Sequence, residues 1–487
     1  MNRFAMRATA LAALALCQPA FANEVDDLKA EIAAQKAAAA AQQARLDALE
    51  QRLNSMNAQP APAPAAKAPS PAVAKAMSTD QNGVPIIADP AGVTLYDNGN
   101  TSLRIYGLLE ATGSHVNHQT PEGGSTTGFQ TSWFSGNRLG FDADHALPNG
   151  EQFGLPGLKV ISKLESELEF PTGNMDTANV FFNRDAWMGL YSDDLGKLTA
   201  GRQNTLTRDF TQSWGDPYGT ADVTLKEGGY TNVNNFKQFI FYSASATGTR
   251  MNSSLVWKKK FGPHVVAGLA YAFGSGGAGG SGDVGNGGAT PGDFQKGTTQ
   301  EASIAYNSLA LGPGVLSANL SYDRANVDDL IHQSVLLGGN YRVGIFRMNT
   351  GFAHYTAEQG AHNSAGTRTD NSWTVSASVL PTPANEFALG YQEMKGSHAG
   401  FGGSGATLNP FGNTADVATV ATGAKKTLYG SWMYHVDRQF DVYLAADSFK
   451  VTGGWVVSDA QGNGNHFGVG NPFDSEYEVA IGARYKF

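Results

Sequence analysis

Cysteine is all but missing: the chain has one, Cys17, at the end of a short apolar run that begins at Ala8. Past it no thiol remains, which excludes a disulfide framework and a thiolate metal site from the rest of the chain. Charge is sparse as well, at 16% of 487 residues. After the first residues no apolar stretch approaches the roughly 18 residues of a membrane-crossing helix, and the mean hydropathy of -0.27 agrees. Neither lack bears on a membrane β-barrel, whose strands need only about ten alternating residues, half toward lipid and half toward water. Sustained helical periodicity is absent outside one N-terminal stretch, while 59 glycines point to many turns. An all-β body follows.

The chain opens with Arg3 and Arg7 around the apolar run, then Ala20-Phe21-Ala22 before Asn23. That is the pattern of a secretory signal peptide over residues 1–22. A lipoprotein reading of Cys17 is disfavoured by the bulk of Leu16 before it. From Val25 to Met56, positions Val25, Leu28, Ile32, Gln35, Ala39, Gln42, Leu46, Leu49, Leu53 and Met56 alternate spacings of three and four. This heptad seam predicts a coiled-coil helix over 23–57, with a solvated single helix as the alternative because the middle of the seam is weak. Residues 58–92, rich in Ala and Pro through Pro60, Pro62, Pro64, Pro69 and Pro71, read as a linker.

From about residue 93 the pattern becomes strict alternation. Leu103, Ile105 and Leu109 share one face with small residues, and Arg104 and Glu110 share the other. In 158–170, Leu158, Val160, Leu164 and Leu168 oppose Lys159, Lys163, Glu165, Glu167 and Glu169. No soluble sandwich would turn five charges into its core. Such segments recur near 101–113, 132–144, 157–170, 181–191, 196–203, 250–259, 264–273, 298–308, 313–324, 331–342, 344–356, 371–380, 385–396, 425–436, 439–450 and 475–487. They predict an all-β transmembrane barrel of 16 antiparallel strands over 93–487, with short turns at one end and long loops at the other. Eighteen strands is the alternative, because Val93 to Tyr96 before Asp97-Asn98-Gly99 reads as a further hairpin strand and Phe236 to Ala246 as a strand or part of a long loop.

Four segments in order carry a resemblance. Ser135-Gly136-Asn137-Arg138-Leu139-Gly140-Phe141, the run from Leu158-Lys159 to Leu164-Glu165-Ser166-Glu167, Leu198-Thr199-Ala200-Gly201-Arg202-Gln203 and Ala480-Ile481-Gly482-Ala483-Arg484-Tyr485-Lys486-Phe487 resemble segments of Gram-negative general porins, especially the betaproteobacterial type. The resemblance covers about residues 100–487. It implies a homotrimer in the bacterial outer membrane, in contact with lipid and lipopolysaccharide, each barrel a passive channel for small hydrophilic solutes and ions. It also implies a terminal strand, with Tyr485 and Phe487, that is read by the outer-membrane assembly machinery. The N-terminal arm departs from the commonest members. That leaves three readings open: a general pore, one tuned to small organic acids or sugars, and an envelope tether whose periplasmic arm has the cell wall as a candidate partner.

In such a pore the third loop, here 204–249 with Asp209, Asp216, Asp222 and Glu227, narrows the bore. The resemblance places wall arginines at Arg138, Arg184 and Arg202 opposite it. Alternation independently turns Arg138 inward, and also Arg104 and Glu110, which are expected at the constriction with it, whereas Arg202 shares the lipid-side parity of Leu198 and Ala200, so a bulge or the strand's end must redirect it. Acids facing arginines would set up a transverse field, with a mild anion preference. Trp133, Trp187, Trp257, Trp373, Trp432 and Tyr434 are expected in interfacial girdles, with a sugar-guiding slide as the alternative. No enzyme, cofactor, metal or nucleic-acid role is expected. Gly274 to Gly279 fits a dinucleotide pattern, but low-complexity glycine with no following helix produces that freely, and His115 and His118 lie in a loop.

Overall fold

A computed structural model describes residues 36, 40, 43, 47, 78–79, 85–86, 92–118, 122–130, 132–177, 179–214, 250–273, 298–327, 330–358, 367–400, 420–453 and 473–487. The chain divides into two compact units, Met1–Pro71 and Ala72–Phe487. In the first, Lys36, Ala40, Gln43 and Asp47 are helical and exposed, and Gln43 Nε2 donates to Asp47 Oδ1 one turn on at 3.0 Å. The heptad seam itself lies outside the described residues, as does the strand reading of Phe236 to Ala246.

The second unit begins with a two-residue pair, β1 (Ser78–Thr79) and β2 (Pro85–Ile86), inside the stretch read as a plain linker. A closed antiparallel barrel follows. Its first arc comprises β3 (Val93–Asp97), β4 (Thr101–Val116), β5 (Thr126–Gln130), β6 (Asn137–Ala146), β7 (Lys159–Glu169), β8 (Asn174–Met175), β9 (Asp185–Ser192) and β10 (Gly196–Asn204). One helix, α1 (Leu206–Trp214), comes next. The remaining wall is β11 (Arg250–Phe261), β12 (Val265–Ala272), β13 (Thr299–Leu311), β14 (Gly314–Val327), β15 (Leu330–Val343), β16 (Phe346–Ala357), β17 (Arg368–Thr382), β18 (Asn385–Gly400), β19 (Val420–His435), β20 (Phe440–Gly453) and β21 (Ser475–Lys486).

The wall has sixteen positions because three are shared. β5 and β6 both pair with the same side of β4, one with each half. β8 and β9 likewise share β7, and β3 continues the line of β21 along β4. The anticipated Val93 hairpin is therefore real without adding a seventeenth position. Asp97 and Asn98 accept the amides of Gly99 and Thr101 at 2.8 Å each to hold its turn.

Period-two alternation fixes the faces. Leu269, Leu337, Leu389 and Ile481 are more than half exposed on the outside, while Ser321, Ser372 and Thr374 are fully buried within. No described helix is long and apolar enough to cross a membrane; the strands are what cross. Two expected girdle tryptophans are corrected here. Trp133 is buried in a cluster with Phe134 and Tyr443, and Trp187 has inward parity, its neighbour Met188 being 61% exposed outside. Lys197 Nζ sits 4.2 Å from the Trp187 ring centroid, an indole held by a cation on the inner face.

Candidate functional site

Helix α1 lies against the inner wall of β12 to β15. Its sequence carries the instruction: Leu206, Phe210 and Trp214 fall at i, i+4 and i+8, one face of a helix, and all three are fully buried. That face meets Met251, Val256, Val266, Ala270, Ala272 and Ala305. The wall makes room with small side chains. A Cβ on Gly268 would stand 2.9 Å from Leu206 Cδ2 and 3.2 Å from the Phe210 ring, so glycine there permits the close approach.

The helix start is held at several points. Thr205 acts as the N-cap, its Oγ1 accepting the Arg208 amide at 3.1 Å. The wall carboxylate of Glu301 accepts the Leu206 amide at 2.5 Å, and Thr207 Oγ1 donates to Asp323. Two carboxylates at a helix N-terminus complement its dipole. The far end is tied by Asn340 Nδ2 donating to the Trp214 carbonyl at 2.6 Å. Asp209, the one described acid of the loop, accepts from Asn204 at 2.8 Å and pairs with Lys258 on β11. Burial pushes its carboxyl up, but the Lys258 ammonium and these hydrogen bonds outweigh that and leave it below the ordinary aspartate value. Asp216 and Asp222 lie outside the described residues, as does Glu227.

Facing this is a lattice of ion pairs on the inner side of β4, β6, β7 and β9. Arg184 donates from Nε to Glu165 Oε1 at 2.5 Å and pairs with Glu167. Lys163 lies 3.4 Å from Glu165 and 3.6 Å from Asp185, and Tyr106 donates to Glu165 at 2.7 Å. Arg104 pairs with Asp142 at 2.5 Å. Arg138 bonds Ser135 and the Gly136 carbonyl and contributes to the field at Glu165. Arg250, at the start of β11, lies in the fields of Arg184, Arg208, Asp185 and Glu167. The structure thus brings Arg138 and Arg184 together and adds Lys163, Arg208 and Arg250, which sequence reasoning had not singled out as site residues.

Two expected site residues do something else. Glu110 is fully buried; it accepts the amides of Trp133 at 2.6 Å and Phe134 at 2.9 Å and the Tyr443 hydroxyl at 2.9 Å, and lies 3.1 Å from Arg484 Nε. It is a latch across the seam where β21 meets β4. Arg202 alternates outward between Gly201 and Gln203. The inward neighbour Gln203 bonds Thr199 and Ser254, while Arg202 donates to the Asn183 carbonyl at 2.7 Å and to Asn252. A bulge does occur here, on β11 around Ser253 at φ 47°, but it leaves Arg202 on the outer face. At the terminus, Phe487 and Gly107 exchange backbone hydrogen bonds of 2.9 and 3.1 Å, and Tyr485 stacks on Phe487 with centroids 5.9 Å apart.

The family model for Gram-negative porins matches residues 63–454. The chain belongs to that family. The porin is also similar to an outer membrane porin protein of Bordetella pertussis, 23% identical over 284 residues that cover 55% of this chain and 67% of the relative. Among solved structures, the anion-selective porin from Comamonas acidovorans superposes with a TM-score of 0.56 at 19% identity, covering 80% of this chain and all of that one. The outer membrane channel DcaP of Acinetobacter baumannii gives 0.50 at 12% identity, over 81% of this chain and 99% of that one. The fold is therefore that of a betaproteobacterial-type porin, an outer-membrane channel for passive diffusion. In this setting α1 is a helix folded into the bore, and the ion-pair lattice is the wall it faces.

Proposed function

We propose that the porin passes small hydrophilic solutes with a preference for anions, and that the preference is set between α1 and the first arc of the wall. One observation carries this reading: among the described residues Arg138, Lys163, Arg184 and Arg250 gather around Glu165, Glu167 and Asp185, four cations against three carboxylates, with Arg208 beside Arg250. The acids on the opposite side do not restore the balance, because Glu301 and Asp323 are engaged with the start of α1. Fixed charge beside a narrow, low-dielectric bore raises the local concentration of the opposite ion. The anion selectivity named for the Comamonas structure accords with this reading.

The working unit proposed is a homotrimer. The outer faces of β4 and β6 carry small residues, Gly107, Ala111, Gly113 and Ala143, among Leu103, Ile105, Leu109, Leu139 and Phe141. A surface of small residues suits close packing of barrel on barrel. The stacked Tyr485 and Phe487 are proposed as the assembly signal.

Reversal potentials across planar bilayers under a potassium chloride gradient test the preference. The expected sign is that of chloride permeating faster than potassium, with Arg208→Ser moving the potential toward zero. A potassium-selective wild type would overturn the reading.

A further inference from the structure

We infer that, among the described residues, a second element narrows this bore beside α1: the strand pair β1 and β2 ahead of the barrel. The inference rests on the channel reading above and goes beyond it by adding a specificity-determining element.

Two observations place this segment. β2 lies directly against α1, and α1 is seated on the inward side chains of β11, β12 and β13. A strand in contact with that helix is inside the wall. The second observation is at the entrance. Gly92 has φ +66°, a left-handed conformation that turns the chain just before β3 and that side chains other than glycine rarely adopt. A Cβ on Gly92 would stand 2.7 Å from Arg104 Cδ and 2.9 Å from Cγ. Arg104 points into the barrel, pairing with Asp142 and lying 5.9 Å from the ring of the inward Tyr106. Gly92 therefore lies on the inner side of the wall, over the stem of an inward arginine.

The reach is sufficient. Ile86 and Val93 are seven positions apart, and an extended chain of that length covers up to about 25 Å, enough to rise from the rim toward mid-membrane. The segment is also held together, since Ser78 pairs with Ile86 and Thr79 with Pro85 across five intervening residues that include Asn82-Gly83, a dipeptide favoured in tight reversals. Two paired strands obstruct more of a bore than a single extended one, and this pair lies against α1.

Single cysteines in the full chain test this, because the chain past residue 17 has no thiol of its own. Ile86→Cys, and as control Asn98→Cys in the β3–β4 turn, are treated with a small sulfonated thiosulfonate reagent, labelling is verified by mass, and single-channel conductance is recorded. The added group at Ile86 is expected to lower conductance by about half, and the same group at Asn98 to leave it unchanged. A second variant lacking residues 72–91 is expected to conduct about twofold more than the full chain. Labelled Ile86→Cys and the deletion both conducting like the wild type would overturn the inference while leaving the channel reading intact. Absence of ohmic steps from the wild type itself would overturn the channel reading.

Discussion

The two arcs of the barrel are built on different principles. From β4 to β11 the inner wall is an ion-pair lattice, with Arg104–Asp142, Arg184–Glu165 and Lys258–Asp209 among its members, and the strands that carry it are broken or bulged, as at β5/β6, β8/β9 and Ser253. From β13 to β18 the strands are 12 to 16 residues long. Their inward side chains are mostly small and neutral: Ser303 bonds Ser321 at 2.9 Å, and Asn349 bonds Ser376 at 3.1 Å. The ladders there run longer, with single register shifts at Tyr306/Leu309, Val379/Thr382 and Gly396/Ala399, and hydroxyls and amides line most of that wall, the buried Arg368–Asp370 pair and the two acids at the start of α1 being charged exceptions. Where pairing is interrupted, backbone groups lose ladder partners, and charged side chains supply them. The Glu110 carboxylate on the amides of Trp133 and Phe134, at the break between β5 and β6, is the clearest case.

The strongest test of this contrast is therefore Glu110→Ala. Removing one partner of a buried ion pair costs about 3–5 kcal/mol, and here it also removes the carboxylate to which the Trp133 and Phe134 amides donate. The folded barrel is expected to melt far below the wild type on heat-modified gels. Ser376→Ala in the neutral arc should cost no more than about 1 kcal/mol. Equal losses at the two sites would break the contrast.

A smaller effect is expected at the helix seat. Gly268→Leu places bulk 2.9 Å from Leu206, and overpacking of this kind costs about 1–3 kcal/mol. Because α1 is bound to the wall at this face, the readout is functional as well. Channel conductance should change with the melting point, whereas Gly351→Ala on the neutral arc should move neither. Thr205→Ala removes the N-cap, worth about 1 kcal/mol, and should appear as added current noise from a less firmly seated helix, with mean conductance nearly unchanged.

Much of the scaffold was legible in the sequence because a barrel strand writes its own period. All sixteen segments reappear, and the parity that set Arg104 and Arg138 against Leu139 and Phe141 is the parity observed. What escaped were contacts between residues remote in sequence. Glu110 reads as one more inward acid until Arg484 closes on it across the seam. The breaks beside β6 and β9 removed Trp133 from the girdle, and Trp187 was misassigned because aromatic identity was weighed above parity. Helix α1 carried signals that passed unread: Leu206, Phe210 and Trp214 at helical spacing after Thr205, and a β12 whose inward positions Val266, Gly268, Ala270 and Ala272 are small. A strand lined inside with little bulk leaves space for something to lie on it.

The smallest effect concerns acid. Asp209 and Lys258 join α1 to β11 by a salt bridge between the helix and the charged arc. Although burial opposes ionisation of Asp209, the Lys258 ammonium dominates and its folded pKa lies below the unfolded value, which is about 3.9. The sign follows from linkage: a depressed carboxyl contributes its stability fully above the unfolded value and loses it as the pH falls through the folded one. Channel noise should thus stay constant from neutral pH down to about pH 4 and rise below it. In Asp209→Asn that rise should be absent, and the noise already higher at neutral pH. The carboxylate retains 16% exposure, so solvent screens the pair and the step should be less than that of the Thr205 variant. A rise that persisted unchanged in Asp209→Asn would move the acid-sensitive joint elsewhere, to Glu301 and Asp323 at the start of α1, and would place the boundary between the two arcs at β13 and β14 instead of β11.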